Sequence, residues 1–264
     1  MAKPCAYCGK KGRLTKEHVW PSGFHDRVGR GTAHFSPLSG KVHGADYIVR
    51  DVCPACNNER LSALDSYFCQ LYDDYLSVPR GFDETVVFEY DGALLPRALL
   101  KIAFNSARSA RSELGPFMPL RGYILNGGMQ PPGFAATAEL VSPTYLENNS
   151  GPLPVVTEVR PTAYRSILGQ LSTPHGDAAL LRTVAVNSFY FHMLLKREEA
   201  TPEDFTAAAI ELPNTVKGVV PLSADGGSVT LRSSPQDGVS TLLPQYLSHR
   251  DQYRAFYERQ DEGS

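Results

Sequence analysis

The chain has no apolar run approaching the roughly 18 residues that cross a bilayer, and none of the spacings that mark a repeat protein. It also lacks a phosphate-cradling Gly motif and a Gly-x-Ser-x-Gly elbow, which removes the commonest nucleotide-binding and serine-hydrolase readings. No apolar stretch follows Met1-Ala-Lys-Pro-Cys5, so no secretory signal is expected and the chain reads as cytoplasmic, with no membrane partner. Charge is scarce in net terms, −2 over 264 residues, yet it is unevenly placed. Residues 1–60 hold ten Lys/Arg against five Asp/Glu, whereas the remainder holds sixteen against twenty-three. A basic N-terminal segment on a mildly acidic body suits a polyanionic partner, because phosphate contacts dominate nucleic-acid affinity.

Cysteine is also sparse, but its placement is informative. Four of the five cysteines form two Cys-x-x-Cys pairs, Cys5/Cys8 and Cys53/Cys56, separated by forty-four residues. In a reducing compartment two such pairs point to one tetrahedral zinc site rather than to disulfides or a redox couple. With four thiolates that zinc has no open position, so its expected role is structural. Gly9 and Gly12 supply the bend of a zinc knuckle, and Cys69 is left over as a helix-borne thiol without an expected role.

The segment between the pairs must carry its own structure. Leu14 to Trp20 reads as an extended segment ending at Pro21, with Glu17 and His18 on opposite faces. Phe24 to Gly40 is rich in Gly, Ser, Arg and His and reads as a mobile loop, with Arg27, Arg30 and Lys41 as candidate nucleic-acid contacts. Asp46 to Val52 reads as a second strand. Leu61, Leu64, Phe68, Leu71, Tyr72 and Tyr75 then recur at helical spacing, with Asn57 or Asn58 as the expected cap.

Taken together, Cys5-x-x-Cys8-Gly9, Leu14-Thr15-Lys16-Glu17-His18-Val19-Trp20-Pro21 and Val52-Cys53-Pro54-Ala55-Cys56-Asn57-Asn58 resemble the HNH endonucleases. The likeness is to the prokaryotic branch with a four-cysteine zinc, and it covers residues 5 to about 65. It implies a ββα-metal module and hydrolysis of DNA phosphodiesters. By the same resemblance, His18 is the general base, and Glu17 and Asn57 hold a catalytic Mg²⁺ or Mn²⁺. An activated water and a cation that neutralises the leaving oxygen are what that chemistry needs. Many members carry an asparagine shortly before the third cysteine to orient the histidine. Here Tyr47 to Val52 has none, so Asp51 or a backbone carbonyl is expected in that role. Asp65 is expected to be structural or to support the site from behind its ligands.

The expected architecture is α+β, with a zinc-stapled ββα-metal module over residues 1–78 and a mixed α+β domain over 79–264. In the second part, Glu84–Tyr90, Val155–Val159, Thr183–Leu194, Val216–Val220 and Ser228–Leu231 read as strands. Leu94–Leu114 and Tyr246–Arg259 read as helices, the first with Arg97, Lys101 and Arg108 on a solvated face. His175 and Asp177 read as loop residues. The expected partner is DNA, with RNA as the other nucleic acid open to the site, and a homodimer would suit paired nicks. The alternative to the nuclease is a non-catalytic zinc-stabilised module that binds nucleic acid or protein. An enzyme of another class, with its site in residues 80–264, is the third reading.

Overall fold

The apolar spacing after Cys56 builds the helix that anchors the N-terminal part. In the computed structural model the described residues are 3–28, 34–36, 41–43, 47–148, 155–159, 161, 164–235, 252, 255 and 258, without the side chains of 34–36, 41–43, 146–148, 155–157 and 159. Strand β1 (Thr15–His18) leads through Pro21 into a short helix α1 (Ser22–Val28). Strands β2 (His34–Ser36) and β3 (Lys41–His43) pair with each other, and β4 (Ile48–Val52) pairs antiparallel with β1. The stretch read as a loop from Phe24 to Gly40 thus contains the end of α1 and the strand β2. Phe24, fully buried and stacked on Trp20 at 5.2 Å, gives α1 its hold.

A continuous helical rod follows. A π-helical turn over Ala55–Leu61 runs into α2 (Ser62–Leu71) and a further π-helical turn over Tyr72–Leu76. Leu61, Leu64, Phe68, Leu71 and Leu76 are its buried stripe. The expected asparagine cap is not used: Pro54 occupies the helix start with no side-chain cap, and Asn57 lies inside the first turn. Proline suits that place because its missing N–H is one the helix leaves unsatisfied anyway.

Strand β5 (Thr85–Tyr90) precedes α3 (Leu95–Ser109), and α4 (Arg121–Asn126) follows after a 3₁₀ turn. The chain then makes the long strand β6 (Phe134–Ser142), the pair β7 (Thr144–Asn148) and β8 (Val155–Val159), and β9 (Tyr164–Gly169). Strands β10 (Ala179–Val186) and β11 (Phe189–Lys196) form a hairpin, where a single strand over Thr183–Leu194 was expected. Its two-residue turn is Asn187-Ser188, with Asn187 at φ +48°, a conformation asparagine tolerates. Helix α5 (Pro202–Thr215) comes next, then the short β12 (Val220–Pro221), β13 (Gly227–Arg232) paired with β5, and β14 (Ser234–Pro235). Val216, expected in a strand, is the cap that ends α5. The closing helix expected over Tyr246–Arg259 lies largely outside the described residues.

The main sheet has the order β12-β6-β11-β10-β9, all antiparallel, with β14 added in parallel on β6. Alternation along β11 sorts its two faces. Phe189, Phe191, Met193 and Leu195 join the large core, while Leu194 packs with Phe205, Ala208 and Leu212 of α5 on the other side. That large core also holds Val52, Leu61 and Phe68 from before residue 78 and Leu99, Ala103 and Phe104 of α3 from after it. Helix α3 therefore lies between the cysteine-bearing segment and the sheet. The molecule is an α+β protein with an N-terminal cysteine cluster, and no helix among the described residues is long and apolar enough to cross a membrane.

The loop before β10 is tied to α5 by His175, whose Nδ1 lies 2.7 Å from Glu211 Oε1. The hydrogen bond to Glu211 raises the His175 pKa above its ordinary 6.5. A raised histidine contributes stability that is complete below its unfolded value and fades as pH rises through the folded one. An NMR titration of His175 is expected to give a midpoint above 6.5 that returns to the ordinary value in Glu211→Gln. An unchanged midpoint in the variant would count against the contact.

Candidate metal centre and its supporting network

The knuckle is built by local geometry. Gly9 takes φ +72°, and its N–H bonds to the Cys5 carbonyl at 2.9 Å while the Cys5 N–H bonds to Lys10 O at 2.9 Å. The second pair sits where β4 becomes the helix, so the β1–β4 pairing brings both pairs together. The four ligand atoms all lie within 4.8 Å of one another, and Cys8 Sγ and Cys53 Sγ are 3.7 Å apart. A tetrahedron with zinc–sulfur bonds of about 2.3 Å has edges of about 3.8 Å. The cluster fits that ion in donor type and in spacing.

Electrostatics fit as well. Burial opposes the Cys5 thiolate, but the backbone N–H groups of Cys8, Cys53 and Tyr7 outweigh it and bring its pKa to about 7. Burial and the neighbouring thiols push Cys56 upward. Four thiolates cannot share this space without a cation, and a divalent ion relieves both their repulsion and their desolvation.

Glu17 and His18 point to opposite faces of β1, as expected from their adjacency: Glu17 is 3% exposed and His18 half-buried. The Glu17 carboxylate faces α3, where Lys101 Nζ lies 2.7 Å from its Oε1 and Asn105 Nδ2 donates to the same oxygen at 3.2 Å. Lys101 Nζ is also 2.7 Å from Asp65 Oδ1 and 3.3 Å from the His18 carbonyl. Asn105 Nδ2 donates to that carbonyl too, at 3.0 Å. The Asn105 Oδ1 accepts from the Tyr7 hydroxyl at 2.6 Å and from Arg108, whose other guanidinium nitrogen pairs with Asp51. Arg108 stacks over the rings of Tyr7 and Phe104 at 5.0 and 4.6 Å. Burial drives the Tyr7 pKa far above its ordinary value, so its hydroxyl stays a donor.

This network corrects the expected solvated face of α3. Arg97 bonds the Ile124 and Leu125 carbonyls, Lys101 is 1% exposed, and Arg108 faces Asp51. Lys101, Asn105 and Arg108 follow a spacing of four and three residues, which sets them on one helical face. Asp51 is held by Arg108, and the asparagine that supports His18 through its carbonyl comes from α3. Asp65 is structural, in the pair with Lys101.

Asn57 Nδ2 donates to Lys16 O at 2.7 Å and to Thr15 Oγ1 at 2.9 Å, which ties the helix start to β1 beside His18. The His18 ring lies 6.2 Å from that of His25. Arg27 makes a two-pronged pair with Asp73, at 2.8 and 2.7 Å. Arg30 and the side chain of Lys41 lie outside the described residues. Among the described residues, the four cysteines are the only group of three or more His, Cys, Asp or Glu side chains that could hold a metal.

Two other polar features lie elsewhere. A groove of about 590 Å³ is bordered by Tyr67, Asp74, Tyr75, Glu89, Tyr90 and Asp91, with no histidine or cysteine. Across β10, β11 and β6, Thr183 Oγ1 and Glu139 Oε2 flank the His192 ring at 2.9 and 3.0 Å, all three buried. Sequence spacing does not mark this line, because its members meet only through strand register.

No protein-family model, no curated protein and no solved structure matches the chain.

Proposed function

We propose that the N-terminal part is a zinc-stapled module that binds nucleic acid through its outer face. One observation carries this reading: the knuckle and the β1–β4 pair present a group of exposed cations, while the acids carried by those two strands are neutralised from α3. Glu17 and Asp51 are taken up by Lys101 and Arg108. Lys3, Lys10, Lys11, Arg13, Lys16 and Arg50 are exposed, and none pairs with a carboxylate among the described residues. Lys10 and Lys11 lie on the knuckle, while Lys16 and Arg50 share the outward face of the β1–β4 pair. Such a surface offers point charges to a phosphate backbone without reading base identity.

The test is fluorescence anisotropy on duplex DNA, single-stranded DNA and RNA across salt. The triple variant Lys10→Glu, Lys11→Glu, Lys16→Glu is expected to bind at least tenfold more weakly. The slope of log affinity against log salt should drop by about 3 on duplex DNA, about 0.9 for each phosphate that the variant leaves without its lysine. Equal affinity for wild type and variant would sink the reading.

A second reading, phosphodiester hydrolysis with His18 as base, is favoured by the placement of Asn57 beside the strand that carries His18. Plasmid incubated with the zinc-loaded protein, with and without Mg²⁺ or Mn²⁺, beside His18→Ala, separates the two. Nicking that disappears in the variant would promote hydrolysis to the first reading.

The divalent ion that the HNH resemblance puts on Glu17 does not fit the residues present. A hydrated Mg²⁺ keeps several waters and needs open carboxylate oxygens, whereas the Glu17 carboxylate is buried against an ammonium and an amide.

A further inference from the structure

We infer that Lys101 is an internal cation that takes the charge-balancing place of a divalent ion at Glu17, so that the protein has a single metal requirement, at its cysteines. The inference stands on the network itself, whether or not the outer face binds nucleic acid.

Three facts lead to it. First, Glu17 and Asp65 each lie 2.7 Å from the same Nζ, which sets two carboxylates around one point. Two carboxylates so close would repel, and a cation between them is what makes the arrangement stable. Second, that cation is covalently supplied. Lys101 leaves the middle turn of α3 and is only 1% exposed, so its stem is shielded from water and its head is confined to this junction. Third, the remaining ammonium bond goes to the His18 carbonyl, which Asn105 also holds. Lys101 therefore joins β1, α2 and α3 at one atom, a junction that a soluble ion would form only while bound.

The consequence is a latent site. Replacing the ammonium by an uncharged side chain leaves Glu17 and Asp65 facing a vacated volume with two hard oxygen donors and the His18 carbonyl. Those are the ligand types that Mn²⁺ and Mg²⁺ accept.

The experiment is Mn²⁺ titration of zinc-loaded protein followed by EPR, with melting temperature recorded in parallel. Wild type is expected to show no Mn²⁺ site that depends on Glu17, and no melting shift with Mn²⁺ or Mg²⁺. Lys101→Ala is expected to melt lower and to gain an Mn²⁺ site that Glu17→Gln abolishes. If Lys101→Ala does not fold, the wild-type titration still decides. Mn²⁺ bound by wild type and lost in Glu17→Gln would overturn the inference. A folded Lys101→Ala that takes no Mn²⁺ would overturn the latent site. Neither readout requires nucleic acid, so failure of the binding proposal would leave this test intact.

Discussion

Replacing Cys56 by serine is expected to release the zinc and unfold the N-terminal module. Cys56 is buried at the start of the helical rod, and its sulfur belongs to a cluster whose members lie within 4.8 Å. Structural zinc sites contribute about 10–16 kcal/mol in small zinc-finger peptides at neutral pH. Whole domains are stable by about 5–15 kcal/mol. Loss of the ion therefore removes an amount comparable with the stability of a whole domain. The damage should spread, because Tyr7, between the first two cysteines, holds Asn105 of α3, and Val52, beside the third, lies in the same core as the sheet. Zinc content by mass spectrometry and thermal melting by circular dichroism read the effect. Chelation should reproduce it, and acidification should too, because protons compete with the metal for thiolate. Cys69→Ser is the control. That thiol is buried on α2 away from the cluster, and burial raises its pKa, so zinc should stay bound. Full zinc occupancy in Cys56→Ser would refute the four-cysteine assignment.

Substituting Lys101 by methionine is expected to be the most damaging change outside the cysteines, at about 3–5 kcal/mol, the usual penalty for leaving a buried charge without its partner. In a chain of this size that is a fall of roughly 10 °C in melting temperature. Removing both charges tests the cause. Lys101→Met combined with Glu17→Gln should recover part of the loss, since an apolar or amide replacement of a whole ion pair is often tolerated. The double-mutant cycle isolates the pair from the packing of the lysine stem. The pH dependence has a definite sign. Burial lowers the Lys101 pKa, but the Asp65 and Glu17 charges outweigh it and the net shift is upward. The stabilisation is therefore complete below the ordinary lysine range and lost only as pH rises through the higher folded value. Urea melts of wild type and Lys101→Met at neutral pH should differ fully. A difference under about 1 kcal/mol, the scale of an exposed pair, would show that the ammonium does not hold the site.

Both predictions concern residues whose importance is unequally visible in the sequence. The Cys-x-x-Cys spacing points directly to the metal cluster, because two ligands three positions apart on a tight turn need no tertiary information. Helix α2 is legible from its apolar period, and β1 and β4 from their flanking signals. Helix α5 is absent from the expected elements although Thr201-Pro202-Glu203-Asp204 carries a start signal. The Thr201 hydroxyl accepts from the Asp204 N–H at 3.1 Å, with Pro202 at the first helical position. The β10–β11 hairpin reads as one strand because residues on both sides of its turn are apolar and both strands are buried on both faces.

The inward cations of α3 are harder. A lysine and an arginine on a helix with a strong apolar side have solvent as their default, and only the depth of α3 between two layers reverses that. Asn57 reads as a cap by its position after Cys56, yet Pro54 has already started the helix and freed the asparagine amide for β1.

The cysteine cluster, the α+β class and the excess of positive charge before residue 60 are legible without coordinates, since each depends on short spacing, local pattern or counting. The fate of the Glu17 charge is settled by long-range packing instead. Its partners, Lys101 and Asn105, are more than eighty positions away and reach it because the core places α3 against β1. A carboxylate in water is open to any cation; sealed between a helix and a strand, it answers to the ammonium that was folded in with it.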